Sequence, residues 1–150
     1  MAEQLLKTPI LDPEEIIKLI PQKPPFVMVD RLYDYTALTG ITGFLVPKEN
    51  ILVDDEDVFS EPGLIEHMAQ SMSLHRGYQG YISGLEKPKT GFIGAIKSVQ
   101  IFRLPKVGEK LTTHVEILHE VMKVTLVIAK TFDEKEQVIA TSEMKTVTVD

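Results

Sequence analysis

The stretch Ser60-Glu61-Pro62-Gly63-Leu64-Ile65-Glu66-His67-Met68-Ala69-Gln70-Ser71-Met72-Ser73-Leu74-His75-Arg76-Gly77-Tyr78 decides how the rest of the chain is arranged. Its apolar residues recur at helical spacing, so a helix is expected over residues 62–81. Ser60 or Glu61 can close its start, Pro62 suits a first turn, and Gly77 reads as a stop signal. At about 100° per residue, Ile65, Met68, Ala69 and Met72 form one apolar stripe. Glu66, Gln70 and Ser73 fall within about 60° of one another beside that stripe. His67, Ser71 and His75 make a separate polar row further round. The helix is therefore largely apolar, with a carboxylate at the border of its buried face.

Working outward, Asp12-Pro13-Glu14-Glu15 is a helix start with cap, first-turn proline and capping box. Ile16, Ile17, Leu19 and Ile20 give that helix about two turns of apolar side before Pro21 stops it. Gln22-Lys23-Pro24-Pro25 is a stiff, extended link. The β-rich stretch 26–33 and residues 41–46, joined across Thr39-Gly40, are expected to form a hairpin. Residues 48–61, with Asp54, Asp55, Glu56 and Asp57, read as a solvated acidic loop.

Beyond the central helix, Tyr81 to Lys89 reads as a connection, and four strands follow it. The first covers residues 90–102, where Gly91 and Gly94 permit close backbone approach. Leu104 to Glu109 is a turn. In the next strand Thr113, Val115, Ile117 and Val121 alternate with His114, Glu116 and Glu120, and Val124, Leu126, Ile128 and Phe132 are expected to repeat that buried face. Residues 137–149 form the last strand. Short helix, two strands, long helix, four strands is an α+β order in which the sheet curls around the apolar helix.

Composition narrows the function. The 150 residues suit one domain spanning residues 1–150. The net charge of −6 argues against nucleic acid as a partner. With no cysteine there is no thiolate nucleophile or disulfide framework, and the four histidines lie on different elements, so no metal and no cofactor is expected. No apolar run reaches the ~20 residues of a membrane span, and Met1-Ala2-Glu3-Gln4 lacks a signal-peptide pattern, so a cytoplasmic location is expected.

Several of these segments, in order, resemble the hotdog-fold (3R)-hydroxyacyl-acyl-carrier-protein dehydratases. Pro25-Phe26-Val27-Met28-Val29-Asp30-Arg31 looks like the family's opening "PF…VDR". Pro62-Gly63 with Glu66-His67-Met68-Ala69-Gln70 looks like its "PG…E-A-M-A-Q". Phe102-Arg103 through Pro105-Lys106-Val107-Gly108-Glu109 looks like its Arg/Lys-Pro…Val-Gly-Asp turn. The spacing around Glu66 is similar to a divergent branch, the dehydratase-like proteins of aryl-polyene and flexirubin pathways.

The resemblance implies a hotdog fold, a curved antiparallel sheet wrapped around one long central helix. It implies a homodimer, or a heterodimer with a paralogue or a higher oligomer, with acyl tunnels at the seam. The substrate would be a 3-hydroxyacyl thioester on acyl carrier protein or coenzyme A, in fatty-acid or polyene-type biosynthesis. Glu66 takes the place of the catalytic carboxylate. Gln70, Pro62, Gly63, Phe92 and Gly94 are the expected substrate-binding residues, and Arg103 and Lys106 the expected carrier-docking cations. In the family a loop histidine removes the C2 proton, but no histidine precedes His67 in this chain, and Gln22 stands where the opening link often has one. The proton acceptor would then be a partner's histidine, water, or a carboxylate within residues 54–61. The alternatives are an acyl thioesterase and a non-catalytic acyl-binding or heterodimer subunit.

Overall fold

The computed structural model describes residues 6, 8–86 and 90–149; Met1-Ala2-Glu3-Gln4 and the end of the expected connection to Lys89 lie outside them. The elements are α1 (Pro13–Ile17), β1 (Arg31–Tyr35), β2 (Thr39–Leu45), α2 (Glu61–Ile82), β3 (Thr90–Ile101), β4 (Lys110–Val121), β5 (Val124–Phe132) and β6 (Val138–Val149). The strands form one antiparallel sheet in the order β1-β2-β4-β5-β6-β3, packed on α2. This is the hotdog arrangement that the sequence implies. No helix among the described residues is long and apolar enough to cross a membrane.

Asp12 caps α1, its side chain accepting the Glu14 N–H at 3.0 Å. The helix is one turn shorter than expected; Leu19 and Ile20 are still buried, but on the turn that follows. Residues 19–28 then run back along α2. Here Gly77 proves to be no stop, because α2 continues to Ile82. Its hydrogen marks the point where the Leu19 carbonyl lies against the helix: a Cβ there would sit 1.7 Å from that oxygen. Ile16, Leu19, Ile20, Leu32, Tyr35, Leu74 and Tyr78 close a second apolar cluster around this crossing.

The main core lies between α2 and the sheet, around Phe44, Phe59, Leu64, Met68, Met72, Leu111, Val115 and Met144. Two readings of its faces are corrected. The row His67, Ser71 and His75 is at the centre of the buried face of α2, not outside it. On β5 the buried set is Thr125, Val127, Ala129 and Thr131, whereas Val124, Leu126, Ile128 and Phe132 face away from the helix. On β4 a bulge between Ile117 and His119 changes the phase, leaving Val121 52% exposed.

The buried polar row is satisfied by threonines. Thr42, Thr113 and Thr131 are aligned across β2, β4 and β5. The Thr42 hydroxyl donates to Ser71 Oγ at 2.7 Å, and Ser71 donates to the His67 carbonyl at 2.9 Å. His67 Nδ1 lies 2.6 Å from the Met28 carbonyl, which can only accept, so Nδ1 carries the proton. Burial pushes the His67 pKa down to about 4, so the ring is neutral and Nε2 accepts from Thr113 Oγ1 at 2.7 Å. Thr113, its hydrogen so used, accepts from Thr131 at 2.7 Å. Each hydroxyl thus has one direction available to it.

Candidate active site

A cavity of ≈250 Å³ opens between α2 and the sheet. Glu66, Ala69, Met72, Ser73 and Arg76 line it from the helix; Val115, Ile117, Thr125 and Val127 form its floor. Gly91, Phe92 and Ile93 of β3 and residues 146–148 of β6 form the far wall, and Gln22 of the link enters from the other side. The half-buried helix residues Glu66, Ala69 and Ser73 share this face because they are three, four and seven positions apart.

Gln70 holds Glu66 in place. Its Nε2 donates to Glu66 Oε2 at 2.8 Å and to the Phe26 carbonyl at 2.6 Å, and its Oε1 accepts the Met28 N–H at 2.6 Å. The amide is fully buried, because residues 26–28 lie across it. One side chain therefore fastens the Pro-rich link to α2 and presents a carboxylate oxygen at a fixed azimuth to the cavity.

The expected site residues divide into those at the cavity and those away from it. Glu66 and Phe92 line it, and Gln70 stands behind Glu66. Pro62 is exposed at the first turn of α2, and Gly63 packs against Phe59 so closely that a Cβ would lie 2.4 Å from its ring; neither lines the cavity. Gly94 lies beside Val147 at a bulge in β3 and is not itself part of the lining. Arg103 is gripped by Glu109 at 2.8 and 3.0 Å and by Asp133 at 3.0 Å, which raises its pKa further. Lys106, on the same turn, is exposed.

Gln22, Ser73 and Arg76 are lining residues whose role sequence did not reveal. Arg76 stands at the end remote from Glu66, ten residues or about 15 Å along the axis, donating to Thr125 Oγ1 at 2.9 Å and to Gln79 Oε1 at 3.0 Å. The coincidence of Ser73 with Glu66 on the helical wheel was the available signal for Ser73. His75 also borders the cavity, but its Nε2 lies 2.8 Å from the Thr36 carbonyl, where it donates, and burial lowers its pKa. It is nine residues from Glu66, about 13 Å along the axis and half a turn round, so the two do not form a pair. Among the described residues, no three His, Cys, Asp or Glu side chains group as a metal site.

A sheet wrapped on a long helix, with the Glu66 carboxylate bordering a slot beside an edge strand, defines a hotdog protein. The chain belongs to the ApeP-like family, whose model, described as ApeP dehydratase, matches residues 14–150. Among solved structures it is similar to the dehydratase heterocomplex ApeI:P from Xenorhabdus doucetiae, with TM-score 0.81 at 14% identity over 90% of this chain and 91% of that one. The PaaI protein of the E. coli phenylacetic acid degradation operon (TM-score 0.63, 10% identity, 79% and 78% covered) shares the fold. So does a hypothetical thioesterase with coenzyme A from Streptococcus pneumoniae (TM-score 0.63, 11% identity, 79% and 84% covered). No curated protein matches the chain in sequence.

Proposed function

We propose that this chain is one subunit of a cytoplasmic dehydratase acting on carrier-bound 3-hydroxyacyl thioesters, with Glu66 as its acid–base group. The observation that carries this reading is Glu66 itself, held by Gln70 at the wall of a slot between helix and sheet. In the reaction a base takes the C2 proton, the electron pair of that C–H bond forms the C2=C3 double bond, and the C3–O bond breaks. Glu66 in its acid form gives its proton to the departing hydroxyl, which leaves as water. Nothing is oxidised or reduced.

The base is the missing half. Among the described residues lining the slot, the titratable side chains are Glu66, His75 and Arg76, and neither of the latter faces the Glu66 carboxylate as a base. A second hotdog chain supplies it. The surface for that chain is β3, a 12-residue strand at the edge of the sheet with Phe92 58%, Ile93 39% and Ile96 50% exposed. An edge strand of this length with apolar side chains on it invites pairing. The ApeI:P heterocomplex supports a paralogue in that place, with a homodimer as the other arrangement. The acidic carrier would dock by charge, for which Lys106 is exposed while Arg103 is already matched by two carboxylates.

The test is turnover of a 3-hydroxyacyl-carrier protein by the wild type and Glu66→Gln in the assembly the protein forms. Loss of a general acid lowers the rate about 10²–10⁴-fold. Equal rates would remove Glu66 from the mechanism, and release of free thiol in place of the enoyl product would convert the assignment to a thioesterase.

A further inference from the structure

Gln22 is held by the fold where it can touch substrate. The Leu19 carbonyl lies against Gly77, and Phe26 and Met28 are bonded to Gln70, so the intervening residues run along α2 toward the Glu66 end. Lys23 folds back, donating to the carbonyls of Ile17 and Ile20 at 2.6 and 2.9 Å. Its neighbour Gln22 instead enters the cavity that Glu66 lines. There Gln22 Oε1 is buried and has no hydrogen-bond partner. Two other side-chain atoms among the described residues share that condition, Asp30 Oδ1 and Ser142 Oγ, and neither borders this cavity.

A buried acceptor left unpaired costs stability, and such groups are found where a ligand supplies the missing donor. We propose that Gln22 is a substrate-binding residue that recognises the 3-hydroxyl group of the acyl chain; the inference rests on the proposed substrate class. A carboxamide offers one acceptor and two donors, and a hydroxyl one donor and two acceptors, so the two match in either orientation of the amide. An amide cannot take the C2 proton. Its part is to select chains that carry the hydroxyl and to hold the C3 oxygen within the slot where Glu66 delivers its proton. A saturated or already dehydrated acyl chain leaves Oε1 unpaired and is disfavoured on that account.

Binding can be read without turnover. The probes are 3-hydroxyoctanoyl-pantetheine and octanoyl-pantetheine, each with an amide in place of the thioester, titrated calorimetrically into the protein in its native assembly. The quantity is the ratio of the two affinities. Gln22→Met, which keeps the shape and removes the polar atoms, lowers that ratio about tenfold relative to the wild type. Gln22→Glu, which keeps an acceptor, holds it within about threefold of the wild type. Melting of Gln22→Met stays within about 3 °C, since no protein hydrogen bond of Oε1 is lost.

An unchanged ratio in a folded Gln22→Met, a loss of affinity equal for both probes, or failure of both to bind the wild type overturns the assignment. The dehydratase reading stands or falls separately. A Glu66→Gln variant that retains turnover while the probe ratio still depends on Gln22 would remove Glu66 from the mechanism and leave this assignment. Loss of turnover with a ratio indifferent to Gln22 would do the reverse.

Discussion

Replacing Gln70 by leucine keeps roughly the same volume and removes three hydrogen bonds at once. The Met28 N–H then lies buried with no acceptor, a loss of about 1–3 kcal/mol. The Phe26 carbonyl and Glu66 are partly reached by water, so each of their bonds is worth less, about 0.5–1 kcal/mol. Together these give about 2–5 kcal/mol, a large share of the roughly 5–15 kcal/mol that holds a domain folded. For a chain of this length that corresponds to a fall in melting temperature of roughly 6–15 °C. The assay is calorimetric or urea unfolding of Gln70→Leu beside Ser73→Ala, a neighbour on the same cavity that changes stability by no more than about 0.5 kcal/mol. The Gln70 variant also loses turnover, because the carboxylate and the link are released together. A Gln70→Leu protein that melts within about 2 °C of the wild type would refute the claim that this amide joins the two.

Stability should also fall in acid through His67. Its folded-state pKa is depressed to about 4 by burial, while the unfolded chain takes up that proton near 6.5. Between those values the unfolded state binds more protons, so the contribution is full above about pH 6.5 and is lost as the pH falls through 4. It amounts to about 3 kcal/mol, and His75, shifted the same way, adds to it. Urea midpoints between pH 7 and pH 4.5 should flatten in His67→Gln; if that variant does not fold, the wild-type His67 Nδ1–H resonance should persist unchanged down to pH 5. Gly77→Ala should cost about 3 kcal/mol in urea unfolding, because the added carbon meets the Leu19 backbone. Gly80→Ala on the same helix meets only the flexible end of Leu85 and should be neutral or stabilising, so equal effects at the two glycines would argue against the crossing described.

The layout of the fold was legible because the central helix is long and apolar and the strands after it are separated by clear turns. Glu66 was legible as the carboxylate of that helix, and its place beside the slot follows from its angle. The faces were harder. Thr125 and Thr131 have the shape of valine, and once Thr113 and His67 satisfy the hydroxyl of Thr131 it packs inward as valine would. Hydrophobicity alone therefore assigned β5 to the wrong side. Leu126 and Ile128 misled for the same reason, since an outer face that is itself half-buried carries large aliphatic side chains. Gly77 reads identically whether it ends a helix or admits a crossing backbone, and only the course of residues 19–28 decides between them. The burial of Gln70 depends on that same segment, which is why a surface amide and a locking one looked alike.

The hydroxyl chain beneath α2 has a consequence for how the slot selects its contents. Grease against grease has no preferred depth, and a helix lying on a wholly aliphatic floor could creep along it as longer or shorter chains arrived. Here Thr42, Ser71, His67 and Thr113 act as an indexing pin, since any sliding of the helix would break the Thr42–Ser71 and His67–Thr113 bonds together. The positions of Glu66 and Arg76 over the floor of the slot are thereby fixed in advance.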